Sequence, residues 1–337
     1  MAITTVPVNE SRQPVGIITP PVSSSFSAAV LAGSANLLLA QGVERALGVR
    51  LAACTTERFP DGEVMVRIDE SVRGLEVVLL QLTSPPVNDH LIELLAMVDA
   101  CRRAAAARIV AVIPYFGYAR SDRRDGRRMP IMGSLLADLM ERAGINHVIT
   151  LDVHTPAVEG FFRIPVDNLT AVPVLAEVLR PRVPANAVIV SPDVGATRLA
   201  NRYATLLGLP VAICHKRRTS GTEVSVTRII GDVSGRPCVI VDDMITTGGT
   251  VAECLRALRQ AGAPTNAIVA ATHAVLVPGA LSKLAAAGVQ ELIVTDSVAL
   301  APAADSSQLR TMVVSVAPLI ATAIRRLLAG GSLRMLA

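Results

Sequence analysis

The chain has 337 residues, 51% of them hydrophobic and 18% charged, which is too apolar for a disordered protein and too long for a disulfide-stapled miniprotein. Its 32 basic residues exceed the 28 acidic ones by four, and with three Tyr, five Phe and no Trp it offers little surface on which bases could stack, so nucleic acid is not an expected partner. The length suits one large or two ordinary domains.

Residues 1–27, rich in Ser, Thr, Pro and Val, read as a flexible N-terminal extension. They lack the basic region and apolar run of a secretory signal. The uncharged stretch 13–43 is interrupted by Pro14, Pro20, Pro21, Gly33, Asn36 and Gln41, so no membrane helix and no membrane partner are expected. Five cysteines without metal-ligand spacing read as the reduced thiols of a cytoplasmic protein.

From residue 28 onward, β-branched runs alternate with Ala- and Leu-rich segments of helical period. In chain order the pattern predicts strand 77–82, helix 89–107, strand 109–113, helix 132–143, strands 147–151 and 187–190, helix 196–207, strands 211–214 and 238–241, helix 251–260, strand 268–271, helix 280–287 and strand 292–295. Several strands are continuous apolar runs, as expected when helices cover both faces of a parallel sheet. The fold class is α/β, doubly wound. Pro165, Pro173, Pro181 and Pro184 mark a boundary that divides the chain into domains 28–170 and 171–330.

The most informative stretch is Asp242-Asp243-Met244-Ile245-Thr246-Thr247-Gly248-Gly249-Thr250, which follows a buried strand and opens a helix. Free backbone N–H groups and the dipole at a helix N-terminus favour a phosphate, the glycines allow close approach, and Thr hydroxyls add donors. The loop therefore reads as a phosphomonoester site, with Asp242 and Asp243 placed to accept hydrogen bonds from sugar hydroxyls. Neither a Walker A lysine nor a GxGxxG dinucleotide signature is present. Between Arg120 and Arg128 stand five arginines in nine positions, whose planar forks suit phosphate oxygens. Lys216 and Lys283 are the only lysines, so a lysine followed by Arg217 and Arg218 suggests a place that wants a compact ammonium, although a solvated basic turn gives the same pattern. The polar stretch that continues it, Thr219 to Thr222, reads as a mobile loop.

With Arg58-Phe59-Pro60-Asp61-Gly62-Glu63, the run Pro114 to Arg123, Leu151-Asp152-Val153-His154, Ser191-Pro192-Asp193 and Lys216-Arg217-Arg218, the chain resembles the ribose-phosphate pyrophosphokinases. The resemblance implies two similar phosphoribosyltransferase-type domains with largely parallel sheets, the first on the ATP-binding side and the second binding ribose 5-phosphate. It implies ATP and ribose 5-phosphate as substrates, Mg²⁺ as cofactor and a homo-oligomer, a hexamer built from dimers. By the same resemblance Phe59, Asp61, Glu63, Arg120, Ser121, Asp122 and Arg123 bind ATP, the first three from an adjacent subunit. Asp242, Asp243 and Thr246 to Thr250 bind ribose 5-phosphate, His154 and Asp193 hold the metal, and Lys216 and Arg218 close over the reacting phosphates as catalytic groups. Asp152 is a candidate to orient His154 or a metal-bound water. Ser121 stands where the family commonly has Gln, and Thr246 where it most often has Asp. Ser71 and Arg73 match effector positions, with Ala105 in place of a small polar residue. Two other readings use the same motifs: a phosphoribosyltransferase that consumes phosphoribosyl pyrophosphate, and a catalytically silent regulatory homologue.

Overall fold

The computed structural model describes residues 3–4, 28–124, 126, 128–218, 224–300 and 309–337. Residues 5–27 of the expected extension and Thr219 to Thr222 of the expected loop lie outside the described residues. Ile3–Thr4 forms a two-residue strand, β1, so the extension is not wholly free of the fold. The first half then runs β2 (Ala28–Ala32), α1 (Leu37–Leu47), β3 (Cys54–Arg58), β4 (Val64–Ile68), β5 (Glu76–Leu80), α2 (Val87–Arg103), β6 (Arg108–Ile113), α3 (Met132–Ala143), β7 (His147–Leu151) and β8 (Val166–Leu169). Five of these strands make a parallel sheet in the order β2-β5-β6-β7-β8, and β3 and β4 form a separate antiparallel hairpin.

The second half comprises α4 (Val172–Leu179), β9 (Val188–Ser191), α5 (Thr197–Leu207), β10 (Val211–Arg218), β11 (Val224–Ile230), β12 (Cys238–Ile245), α6 (Gly249–Gln260), β13 (Ala267–Ala274), α7 (Ala280–Ala286), β14 (Val289–Thr295), β15 (Arg310–Val314) and α8 (Ala317–Leu328). Its sheet has the order β1-β15-β14-β13-β12-β9-β10-β11, parallel except for the β10–β11 pair. Every expected strand and helix has its counterpart, β7 and α3 with the expected bounds and the others with shifted ends. Thus α2 begins behind Pro86 and stops at Arg103, two residues before Ala105 turns into a left-handed conformation with φ +62°. Strand β12 runs on to Ile245, because Asp242 and Met244 keep their pairing with Ala271 and His273 of β13.

Helices cover both faces of each sheet. Leu94, Met97 and Val98 of α2 and Leu136 and Met140 of α3 close one side of the first sheet, and Val251, Leu255 and Leu258 of α6 close one side of the second. The remaining faces share a single core, in which Val78, Val110 and Ile149 belong to the same cluster as Val239, Ile293 and Ile320. Helix α1 fits that core because Asn36 caps it, accepting from the Leu39 amide at 3.0 Å, while its side-chain amide donates to the Asp296 carbonyl at 2.7 Å. Gly42 lets α1 approach α8, since a methyl there would lie 2.9 Å from Cβ of Ala317. Among the described residues no helix is long and apolar enough to cross a membrane.

Where the two sheets meet, Asp152 follows β7 with φ +38° and is buried. Its carboxylate accepts from Thr170 Oγ1 at 2.7 Å, the Ala171 amide at 2.9 Å and Thr272 Oγ1 at 2.7 Å. Its oxygens are thus taken by the crossover at 170–171 and by β13, which corrects the expectation that Asp152 orients His154. Removing a buried acceptor strands its donors. Asp152→Ala should therefore lower unfolding stability by about 4 kcal/mol, and Thr272→Val, which removes one bond to a charged group, by about 2 kcal/mol; urea denaturation followed by circular dichroism measures both.

Candidate active site

The loops after β6, β7, β9 and β12 leave the carboxyl ends of their parallel strands and open on one cleft of about 840 Å³. In open α/β sheets this is the edge at which ligands bind. A second cavity of about 580 Å³, lined by Asn88, Tyr115, Phe116, Tyr118 and Ser121, adjoins it and shares Arg120 and Met244 with it.

The phosphate-loop candidate lies along the larger cleft, which Asp242, Asp243 and Thr246 to Thr250 all line. Gly248 caps α6 with φ +70°, and a Cβ on it would come within 3.0 Å of Leu284. Only glycine takes that turn without strain. Thr247 Oγ1 accepts from the Gly249 amide at 3.3 Å, and the loop is braced from behind by the Val277 amide, which donates to the Thr246 carbonyl at 3.0 Å.

The two aspartates are unlike. Enclosure in the cleft, then the charges of Asp243 and Asp193, push the Asp242 carboxyl well above the usual carboxylate range. Enclosure acts the same way on Asp243, but the hydrogen bond and charge of His154 outweigh it and hold Asp243 low. His154 Nδ1 lies 2.6 Å from Asp243 Oδ2, and that bond raises the imidazole against the opposing effect of burial. Asp193 Oδ1 accepts from the Ala196 amide at 3.1 Å at the entrance to α5.

His154 and Asp193 line the same cleft, and among the described residues no group of three or more metal-binding side chains converges. Of the two, the Asp193 carboxylate is the oxygen donor that Mg²⁺ favours, alongside waters and phosphate oxygens, and His154 would add a nitrogen. The carboxylate on Nδ1 is also the usual partner of a histidine that ligates through its other nitrogen.

The remaining expected residues divide. Arg120 lines both cavities. Ser121 lines the smaller one, and its hydroxyl accepts from the Met132 amide at 3.2 Å, so it also caps α3. The half-buried Asp122 has its Oδ1 3.9 Å from Nε of the exposed Arg123. Phe59, Asp61 and Glu63 occupy the exposed tip of the β3–β4 hairpin and line neither cavity of their own chain. There Asp61 Oδ1 accepts from the Glu63 amide at 3.1 Å, and an Arg58–Asp89 ion pair at 3.0 Å ties the hairpin to α2. Lys216 and Arg218 continue β10, paired with Val226 and Val224 of β11 beyond a bulge at His215, so the strand runs past its expected end at Cys214 and up to the expected loop. The turns bearing Ser71 and Arg73 and bearing Ala105 meet, the Gly74 amide donating to the Ala105 carbonyl at 2.8 Å.

Arg198 and Arg202 of α5 also line the larger cleft, and neither was among the expected site residues. Their signal was available: a spacing of four on a helix that follows Ser191-Pro192-Asp193 sets both on one face. Asn168, another unforeseen lining residue, accepts from the Val153 amide at 3.1 Å and steadies the loop that carries His154.

A family model described as the N-terminal domain of ribose phosphate pyrophosphokinase matches residues 28–144, and one described as the phosphoribosyl synthetase-associated domain matches residues 223–337. A ribose-phosphate pyrophosphokinase of Ralstonia nicotianae is 44% identical over 315 residues, covering 93% of this chain and 99% of the relative. That of Synechococcus elongatus is 42% identical over 322 residues, covering 95% and 96%. Among solved structures, phosphoribosylpyrophosphate synthetase from Mycobacterium smegmatis superposes with a TM-score of 0.84 at 39% identity, over 90% of this chain and all of that one.

Because the Asp243 contact raises the His154 pKa, the pair stabilises the unliganded fold fully below the ordinary imidazole range near 6.5, and that contribution is lost as pH rises through the raised value. Proton NMR of the His154 ring should show titration above the ordinary range, and Asp243→Asn should move it downward.

Proposed function

The chain belongs to the ribose-phosphate pyrophosphokinase family, and we propose that its cleft transfers the β,γ-pyrophosphoryl group of ATP to the 1-hydroxyl of ribose 5-phosphate, giving phosphoribosyl pyrophosphate and AMP. The observation that carries this reading is the joining of a phosphate-type strand–loop–helix turn to the Arg120 loop in adjoining cavities. A phosphoribosyltransferase needs the first but has no use for the second.

In this reading the 5-phosphate rests on Thr246 to Thr250, where the free amides at the start of α6 and the Thr hydroxyls donate to it. Asp243, kept ionised by His154, accepts from the sugar hydroxyls beside Asp242. The smaller cavity takes ATP, with Arg120, Ser121, Asp122 and Arg123 on its triphosphate side. The 1-oxygen then attacks the β-phosphorus and gives up its proton to water, the bond from that phosphorus to the oxygen bridging to the α-phosphate breaks, and AMP leaves with that oxygen. Little covalent work falls to the protein in such a transfer, so alignment and charge neutralisation are its main contributions. Lys216 and Arg218, at the end of β10, supply positive charge to the migrating group, as does Arg120. Mg²⁺, held by His154 and Asp193, would neutralise triphosphate oxygens when bound. Arg198 and Arg202 extend the positive lining of the sugar-phosphate side.

The exposed hairpin tip supports an assembly in which Phe59, Asp61 and Glu63 serve the adenine site of an adjacent subunit, within a hexamer built from dimers. The setting is cytoplasmic, in keeping with phosphorylated substrates and with five cysteines present as free thiols.

AMP release from ATP should depend on added ribose 5-phosphate, which separates this activity from a phosphoribosyltransferase and from a silent homologue. Lys216→Ala should lower kcat by about 100- to 1,000-fold with smaller changes in either KM. In contrast, Thr246→Asp should change kcat by less than about tenfold, because activating the nucleophile matters less than positioning it when the transition state is loose. Steady-state assays at saturating MgATP measure all three.

A further inference from the structure

His273 belongs to none of the motifs above, yet its ring is buried between the two half-sites with both nitrogens engaged. It lies on β13 opposite Met244, which with Arg120 lines both cavities, and it is 2% exposed. Its Nε2 is 3.0 Å from the Leu151 carbonyl and 3.4 Å from that of Asp152, at the end of β7 and just ahead of His154. On the opposite side of the ring, Nδ1 is 2.8 Å from Ser297 Oγ. Its edge meets the ring of Tyr115, which follows β6 and lines the smaller cavity, at 5.2 Å between centroids and 72° between planes.

Hydrogen-bond chemistry fixes the tautomer. A carbonyl only accepts, so Nε2 carries the proton. Burial holds the imidazole pKa below its ordinary value, so the ring is neutral and Nδ1 is an acceptor. The Ser297 hydroxyl therefore donates to Nδ1, and the Thr295 hydroxyl, 2.7 Å from the Thr272 carbonyl, covers that acceptor in its place.

From this geometry we propose that His273 is a positioning residue for the transfer: its Nε2–H sets the end of β7, and with it the His154 loop, in register against β12 and β13, which carry the sugar-phosphate loop. The proposal rests on the reaction assigned above. Each half-site binds its own substrate through its own loop, so loss of the ring misaligns the two without emptying either. Misplacement by about 1 Å is enough to cost about 100-fold in rate.

The test compares His273→Gln with His273→Asn in the full-length protein, with melting temperatures measured alongside. The amide nitrogen of Gln reaches the place of Nε2, and that of Asn only the place of Nδ1. His273→Gln should keep kcat within about tenfold of wild type and His273→Asn should lose about 100-fold, with both KM values within about threefold. Equal effects of the two, a loss confined to KM, or a loss that tracks melting temperature would overturn the proposal. Should His273→Asn fail to fold, Ser297→Ala keeps the ring and removes its donor; kcat should fall about 3- to 10-fold and the ¹⁵N resonance of Nδ1 should shift, whereas no change in either overturns the idea. A wild type that releases no AMP in response to ribose 5-phosphate refutes the reaction itself, and a wild-type ring protonated on Nδ1 refutes only the role given to His273.

Discussion

The Asp152 carboxylate lies where the two sheets meet and takes its donors from both sides of the junction, the crossover through Thr170 and the Ala171 amide and β13 through Thr272. Burying a charge is costly unless it is fully hydrogen-bonded, and the geometry that satisfies this one leaves the sheets little freedom to slide. The cost includes a left-handed backbone at Asp152, which for a residue other than glycine persists only where its surroundings over-determine it. That turn directs the chain from β7 back over the strand ends, so that two residues later His154 stands against Asp243 of the other sheet. The cleft is thus a consequence of how the sheets are pinned as well as of the loops that line it.

Much of this was legible in the amino-acid order. Continuous apolar runs such as Ile109 to Ile113 signal strands covered on both faces, and α2, α3, α6 and the sheet cores bear that out. The small-residue loop after Asp243 carried its own chemistry in the glycines and threonines. What escaped has identifiable causes. The strands of the β3–β4 hairpin, Cys54-Thr55-Thr56-Glu57-Arg58 and Val64-Met65-Val66-Arg67-Ile68, show no polar–apolar alternation over their five positions each, and the partner surface is α2, which no local pattern announces. Ala105 turns left-handed where a glycine would have marked the end of α2. Helices α1 and α8 are shaped by each other: Gly42 reads as a helix-weakening residue until Ala317 is seen against it. The role of Asp152 was missed for a similar reason. In the sequence its neighbour is His154, but the groups that satisfy it lie 18, 19 and 120 residues away.

The charge pattern of the cleft bears on the one position of the phosphate loop that departs from the family's usual residue. Asp193, Asp242 and Asp243 are among the carboxylates that already line that space, and burial together with the charges of Asp243 and Asp193 raises Asp242. Asp243 has a compensating cation in His154. A further carboxylate at position 246 would add like charge next to the amides proposed to receive a phosphate dianion. Threonine offers the same region a hydroxyl donor without that charge, and the Val277 amide holds its backbone in place whichever side chain it carries. The positive lining from Arg198 and Arg202 lies on the same side of the molecule, supplied by α5. The balance between anionic and cationic groups is therefore a property of the whole cleft: four loops from two sheets contribute to it, and a single acidic side chain can be absent from the loop without removing the features that bind and align a sugar phosphate.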